Sequence, residues 1–288
     1  MCIEAEIIER YRQNKSFFLN SIDITQSIKA QIRSKDISKN IPEMYGILLF
    51  IRIYEFAETV RKLLPEDINK INSYSDYSAI ISLARCIMDC SLTLFYLCFE
   101  SDDKKVKLAR YEYIILLESK LDIKAFDYEE NIKTKYKDDL SDAQELLYKD
   151  QVFNKLPQSD SFKGSLKNET NIKQSFGISN KELIRRMNYV TPDDYNLANS
   201  LFSYFVHTSP GSIYLRQYKG NDPRLLGEWI LKRISFALNI TSWMILHASI
   251  NLIDKILNKT TFIREQFSEQ EAAELKEIRI KLEKLMEP

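Results

Sequence analysis

Apolar residues recur along most of this chain at the three- and four-residue spacings of amphipathic helices. No segment alternates apolar and polar residues as a half-buried strand does. The pattern therefore predicts an all-α fold, a multi-helix bundle. The predicted helices cover about residues 3–19, 22–33, 42–64, 75–100, 104–123, 128–148, 191–207 and 222–257, with a short helix after residue 179 and a last one from residue 268.

The stretch of about residues 75–100 is apolar on nearly all sides, which is typical of a helix at the centre of a bundle. The helix over 191–207 is its predicted neighbour. Residues 1–258 are predicted to form one helical-bundle domain, with residues 1–40 as a peripheral N-terminal hairpin of two helices. Residues 259–288 are predicted to form a charged C-terminal helix.

Residues 150–178 are polar and contain Pro157, Gly164 and Gly177, which predicts a loop that is disordered or loosely packed. After this segment, capping residues mark where helices begin. Thr191 precedes Pro192, and Ser268 precedes Glu271 by three residues, as capping residues do.

The last helix carries Leu275, Ile278, Leu282 and Leu285 at alternating steps of three and four. This short seam is typical of helix packing. We expect it to pack on its own bundle, and a homodimer contact through this helix is the alternative.

The amino-acid composition makes some classes of protein function less expected than others. Basic and acidic residues number 41 each, so the chain has no overall charge that would attract nucleic acid. Cys86, Cys90 and Cys98 lie in one apolar segment without a nearby histidine, so we predict buried free thiols and neither a metal site nor a cofactor. The charged N-terminus does not resemble a signal peptide, and a cytoplasmic location is predicted.

Two apolar stretches, at about residues 79–99 and 235–253, approach the length of a membrane span. The first contains Arg85 and Asp89, and the second contains several polar residues, His247 among them. Because such groups are costly in lipid, core helices are predicted and membrane insertion is not. We predict His247 to be a hydrogen-bonded core histidine.

Arg85 and Asp89 are four residues apart, so they share a helix face and reach each other. Their apolar surroundings predict a buried pair. Such a pair is either an ion pair that fixes helix packing or part of a polar site in a dry core.

The helix over 191–207 carries a polar stripe of Asn196, Ser200, Ser203 and His207, opposite an apolar face that includes Tyr195. The stripe is either exposed and capped by the histidine, or turned inward with His207 as an acid, a base or a phosphate contact.

The sequence LARCIMDCSLTLFYLCFE resembles the Arg-x-x-x-Glu/Asp helix of an uncharacterised bacterial all-helical family, a domain of unknown function. YNLANSLFSYFVHTSPGS resembles the later Tyr…Ser-x-x-x-His segment of the same family. The matching residues are Arg85, Asp89, Tyr195, Ser203 and His207. The resemblance covers roughly residues 45–250. The sequence departs from the family pattern at position 89, where it has an aspartate and the family commonly has a glutamate.

The arrangement is also distantly similar to HEPN domains, many of which are ribonuclease toxins or defence effectors. Their nuclease signature places an arginine four to six residues before a histidine, and no arginine lies in that window before His207. The resemblance implies that Arg85, Asp89, Ser203 and His207 meet in one catalytic pocket in the middle of the bundle.

Two functions follow as hypotheses. The first is a cytoplasmic effector that acts on RNA or a nucleotide through this Arg/Asp/His cluster, in an open electropositive cleft. The second is a non-catalytic helical interaction or oligomerisation module, in which the polar cluster is structural and sealed from solvent.

Overall fold

The computed structural model describes residues 3–33, 35, 41–68, 71, 77–104, 106–108, 110, 111, 130, 134, 180–206, 222–258 and 261–287. Within these residues the regular structure is helical and contains no strand, so the predicted all-α fold is confirmed. The helices are α1 (Ala5–Arg33), α2 (Ile41–Leu63), α3 (Tyr77–Leu94), α4 (Asn180–Met187), α5 (Pro192–Val206), α6 (Pro223–Leu252), α7 (Thr261–Arg264) and α8 (Glu269–Met286).

The centre of the bundle is shared by α3 and α6, which pack against each other. The most extensive neighbour of α3 is α2, and α1 runs along α6. The predicted central position of residues 75–100 is confirmed. The helix over 191–207, here α5, packs on α3 as predicted, although α2 and α6 contact α3 more extensively.

Both central helices continue into one π-helical turn, at Phe95–Phe99 after α3 and at Ile253–Leu257 after α6. The backbone N–H of Glu100 donates to the oxygen of Phe95 at 2.8 Å, which widens the turn. The two turns touch, and Lys255 Nζ donates to the oxygen of Phe99 at 2.5 Å. These contacts bring charged side chains to one end of the bundle.

The N-terminal segment is a single helix, and the predicted peripheral hairpin of residues 1–40 was wrong. The predicted break near Ser21 does not occur because its hydroxyl donates to the oxygen of Phe18 at 2.7 Å, inside the helix. Thr25 donates to the oxygen of Ser21 in the same way at 2.7 Å. Because Phe18 is fully buried along with other apolar residues of α1, the helix belongs to the core.

The C-terminal helix α8 packs against α1 and α6 of the same chain. Its seam residues Leu275, Ile278 and Leu282 are buried there, so packing on its own bundle is confirmed. The capping box of Ser268 and Glu271 is also present. The homodimer contact through this helix stays a prediction.

Several predictions concern residues outside the described part: the loop at 150–178, most of the helices over 104–148, the cap at Ser179, and His207. The predicted N-cap of α5 lies within the described residues. There Thr191 Oγ1 accepts a hydrogen bond from the backbone N–H of Asp194 at 3.1 Å.

Two helical stretches, Tyr77–Phe99 and Arg224–Leu257, are long and apolar enough to cross a membrane by length and composition. Of their most apolar windows, 61% and 67% lie buried inside the bundle, and the core helix of a soluble protein passes the same test. The absence of membrane insertion stays a prediction.

Candidate functional site

The two charged residues predicted from α3 do form an ion pair. Arg85 Nε donates to Asp89 Oδ2 at 2.8 Å, one helical turn away. The local spacing alone accounts for this contact, because residues four apart lie on one face of a helix.

The prediction that this pair is buried in the middle of the bundle was wrong. The side chain of Asp89 is 47% exposed and that of Arg85 is 22% exposed. Ser82, Cys86 and Thr93 are also only partly buried, and together these residues form one stripe along α3. The pair lies on this stripe because the neighbouring helices of the described part leave it incompletely covered.

Arg85 reaches across to α5, where Asn199 receives it. Arg85 Nη1 donates to the backbone oxygen of Asn199 at 3.3 Å and also contacts its side-chain Oδ1. Sequence reasoning missed Asn199, although it precedes Ser203 by four residues and so shares its face. We call Arg85, Asp89 and Asn199 the Arg85 cluster.

Tyr195 lies beside this cluster and is buried, as its place on the apolar face predicted. Burial, and after it the negative charge of Asp89, raise the pKa of Tyr195 to about 12, while the charge of Arg85 opposes the shift. Tyr195 therefore carries its proton at neutral pH and can only support the ion pair as a neutral group.

Ser203 lies one turn after Asn199 on α5 and is partly buried. Among the described residues, no hydrogen bond joins its hydroxyl to Arg85 or Asp89. Asn196 and Ser200 of the predicted polar stripe are exposed. The structure therefore brings Arg85 and Asp89 together and places Ser203 one turn from the residue that receives Arg85, while His207 lies outside the described residues.

The chemistry available in the Arg85 cluster is that of a positioned cation. Asp89 and Asn199 hold Nε and Nη1 of Arg85, and no described residue bonds its Nη2. The charges of Arg85 and Asp89 cancel, so the pair by itself does not form an electropositive cleft. In the described part of the chain, no group of three or more His, Cys, Asp or Glu residues could hold a metal ion.

A second charged cluster, which sequence reasoning missed, lies where α3 ends. Glu100 accepts from Arg110 Nη2 at 2.6 Å, and it also pairs with Arg186 of α4. The side chains of Glu100 and Arg110 are only 8% and 4% exposed. We call Glu100, Arg110 and Arg186 the Glu100 cluster.

Arg110 is held on several sides within the Glu100 cluster. Its Nη1 donates to the backbone oxygen of Tyr96 at 2.6 Å, and its guanidinium lies 4.3 Å from the centre of the Tyr96 ring. Burial alone would raise the pKa of Glu100, but hydrogen bonds and charge from Arg110 and Arg186 outweigh it and keep that pKa below its usual value. Buried charge therefore occurs at the end of α3 and not at the predicted pair, and it ties the end of α3 to its surroundings.

No protein-family model matches this chain, and no curated protein or solved structure matches it significantly. A functional proposal therefore depends on the contacts described above.

Proposed function

We propose that the Arg85 cluster binds a phosphate group of an RNA or a nucleotide, and that the protein is a cytoplasmic effector of the toxin or defence type. The observation that carries the proposal is the state of Arg85. Its guanidinium is fixed by Asp89 and Asn199, while Nη2 is left without a described partner.

A fixed guanidinium suits a phosphate because the N–H groups of Nη2 can donate to its oxygens, and little side-chain freedom remains to be lost on binding. The exposure of the cluster supports this proposal over the sealed structural pair. A ligand can reach Arg85, whose side chain is 22% exposed, whereas an arginine held only for packing needs no open side.

The roles of the other residues follow from the family resemblance. His207 would act as the general acid or base, and it follows Ser203 by four residues in the sequence. Asp89 would orient Arg85, and Ser203 would contact the substrate beside it. Asn199 is added here as a positioning residue, because it holds Arg85 from α5.

The test is a titration of a fluorescently labelled mixed-sequence RNA oligonucleotide, and separately of a labelled nucleotide, followed by anisotropy. Arg85→Ala should weaken binding by about tenfold or more, the range for a hydrogen bond to a charged group. Arg85→Lys should recover only part of the loss, because one ammonium cannot bond Asp89 and Asn199 and also reach the phosphate as the guanidinium does. His207→Ala should abolish cleavage and leave binding unchanged.

The matched control is Arg10→Ala. Arg10 is also paired with an acid four residues away, Glu6, but both are exposed, at 71% and 84%. This variant should bind as the unaltered protein does. The proposal fails if Arg85→Ala binds equally well with its helix content intact, or if Arg10→Ala loses as much.

The alternative remains a non-catalytic interaction or oligomerisation module. In that case Arg85→Ala should lower the thermal midpoint and change no ligand binding. Sedimentation velocity should then show a dimer that Ile280→Glu disrupts, since Ile280 is an exposed apolar residue of α8.

A further inference from the structure

A cavity of about 550 Å³ opens between α4, the turn into α5, and the middle of α6. This volume lies within the range of about 300–1,000 Å³ that small-molecule sites occupy. No residue of the Arg85 cluster lines the cavity, so it is a separate site.

One wall of the cavity is aromatic and rigid. Phe236, Trp243 and His247 line it from one face of α6. The His247 ring stacks on Tyr189, with centroids 4.5 Å apart and planes 8° from parallel. Asn251 ties Tyr189 to α6, because its Nδ2 donates to the hydroxyl of Tyr189 at 2.7 Å and also to the backbone oxygen of His247 at 3.0 Å.

Two polar side chains on the same wall have no hydrogen-bond partner within the described part of the chain. The amide of Asn239 and the ring nitrogens of His247 make no hydrogen bond to any residue that the structure describes. The prediction that His247 lies in the core was wrong, because the ring is partly exposed, stacks on Tyr189 and faces the cavity. Burial lowers the pKa of His247, so its ring is neutral at neutral pH and offers one donor and one acceptor.

The rim of the cavity carries one cation, Arg185, and one anion, Asp194, so their formal charges sum to zero. Arg185 is paired with Glu182 at 2.7 Å, and Asp194 accepts a hydrogen bond from the hydroxyl of Thr191 at 2.7 Å. A cavity lined by one cation and one anion, each already engaged, gives no advantage to a charged ligand. The wall instead suits a flat ring that carries its own donors and acceptors.

We propose that this cavity binds an uncharged, planar nitrogen heterocycle of nucleobase size, whose ring lies along Phe236 and Trp243 and whose edge bonds Asn239 and His247. The ring would bury apolar area against the aromatic wall. Its edge would supply hydrogen-bond partners to two side chains that have none among the described residues. The proposal does not depend on phosphate binding by Arg85.

The protein carries its own reporter for this site. Trp229 and Trp243 are its two tryptophans, so Trp229→Phe leaves Trp243 alone to report on the cavity. We would titrate this variant with free adenosine, guanosine, cytidine and uridine and follow the fluorescence of Trp243. At least one nucleoside should quench it saturably with one-to-one stoichiometry, and indole, which has no acceptor nitrogen at its edge, should bind more weakly.

Three substitutions in the Trp229→Phe background test the contacts. Asn239→Ala should weaken nucleoside binding by about tenfold, the effect of one lost hydrogen bond. His247→Phe keeps the stacked ring and removes both nitrogens, so it should weaken binding similarly without altering the thermal midpoint. Asn196→Ala, at an exposed position of α5 away from the cavity, is the control and should bind normally.

The inference is overturned if no nucleoside quenches Trp243, if indole binds as tightly as the best nucleoside, or if Asn239→Ala and His247→Phe both bind normally. Repeating the titration with Arg85→Ala separates the two proposals. Nucleoside binding should persist there even if phosphate binding is lost.

Discussion

Substitution of Glu100 by glutamine should destabilise the protein strongly, because it leaves a buried guanidinium without its counter-charge. Arg110 is 4% exposed, and besides Glu100 the only other described hydrogen-bond partner of its guanidinium is the backbone oxygen of Tyr96. Its Nε is already buried without a partner. In Glu100→Gln the shape stays and one acceptor oxygen remains, but the charge is gone.

The magnitude follows from the burial of the pair. Removing one partner of a buried ion pair costs about 3–5 kcal/mol. Because glutamine keeps one acceptor for Arg110, we expect the lower end of this range, about 3 kcal/mol. That is a large part of the total of about 5–15 kcal/mol that stabilises most domains. Equilibrium urea unfolding followed by far-ultraviolet circular dichroism would measure the loss.

Asp89→Asn is the matched control, since it removes the same charge from the other arginine–carboxylate pair, whose two residues both lie on α3. Asp89 is 47% exposed, so this change should cost no more than about 1 kcal/mol. The reasoning is refuted if the two variants lose the same free energy of unfolding. Glu100→Gln combined with Arg110→Met should be less destabilised than Glu100→Gln alone, because no buried charge is then left unpaired.

Two further predictions concern the same end of the bundle. Because the pKa of Glu100 is lowered in the folded protein, its stabilisation is complete above the unfolded value of about 4.3 and is lost as the pH falls through the folded value. Urea unfolding from pH 7 to pH 3 should therefore show the advantage of the unaltered protein over Glu100→Gln shrinking below about pH 4, and an advantage that does not depend on pH would contradict this. Gly46→Ala should cost about 1–3 kcal/mol despite the better helix propensity of alanine, because the new Cβ would lie 2.6 Å from Cys98 Sγ. Cys98→Ala in the same chain should recover part of that loss in thermal melting, and a Gly46→Ala variant more stable than the unaltered protein would be the contrary result.

The helices could be predicted from the sequence because the residues that mark their ends act over only a few positions along the chain. The caps at Thr191 and Ser268 form within three residues of the signal. The same local reasoning failed near Ser21, where a break between two helices was predicted, and Thr25 lies one turn further along the same continuous helix. Their hydroxyls bond backward within α1, and Thr25 Oγ1 also lies 3.4 Å from Ser249 Oγ of α6, a contact 224 residues away in sequence.

In the candidate site too, local spacing predicts some contacts, and tertiary packing determines the others. The bond between Arg85 and Asp89 follows from their spacing, so it could be predicted. Their exposure could not, because it depends on how far α2, α5 and α6 cover α3. The contact with Asn199 spans 114 residues and has no local signal beyond the position of that asparagine on the face of Ser203. The Glu100 cluster was missed for the same reason, since Arg186 reaches it from α4.

The segment from α3 to Glu100 thus supplies the carboxylates of two arginine–carboxylate pairs in opposite settings, and this contrast makes the functional proposal testable. At Glu100 both partners are sealed, so substitution should change stability, and any effect on ligands should follow from partial unfolding. At Asp89 the carboxylate is half exposed, so substitution should cost little stability and leave ligand binding as the sensitive quantity. A phosphate-binding role for Arg85 therefore requires a loss of binding in a protein whose free energy of unfolding is nearly unchanged, and a packing role requires the reverse.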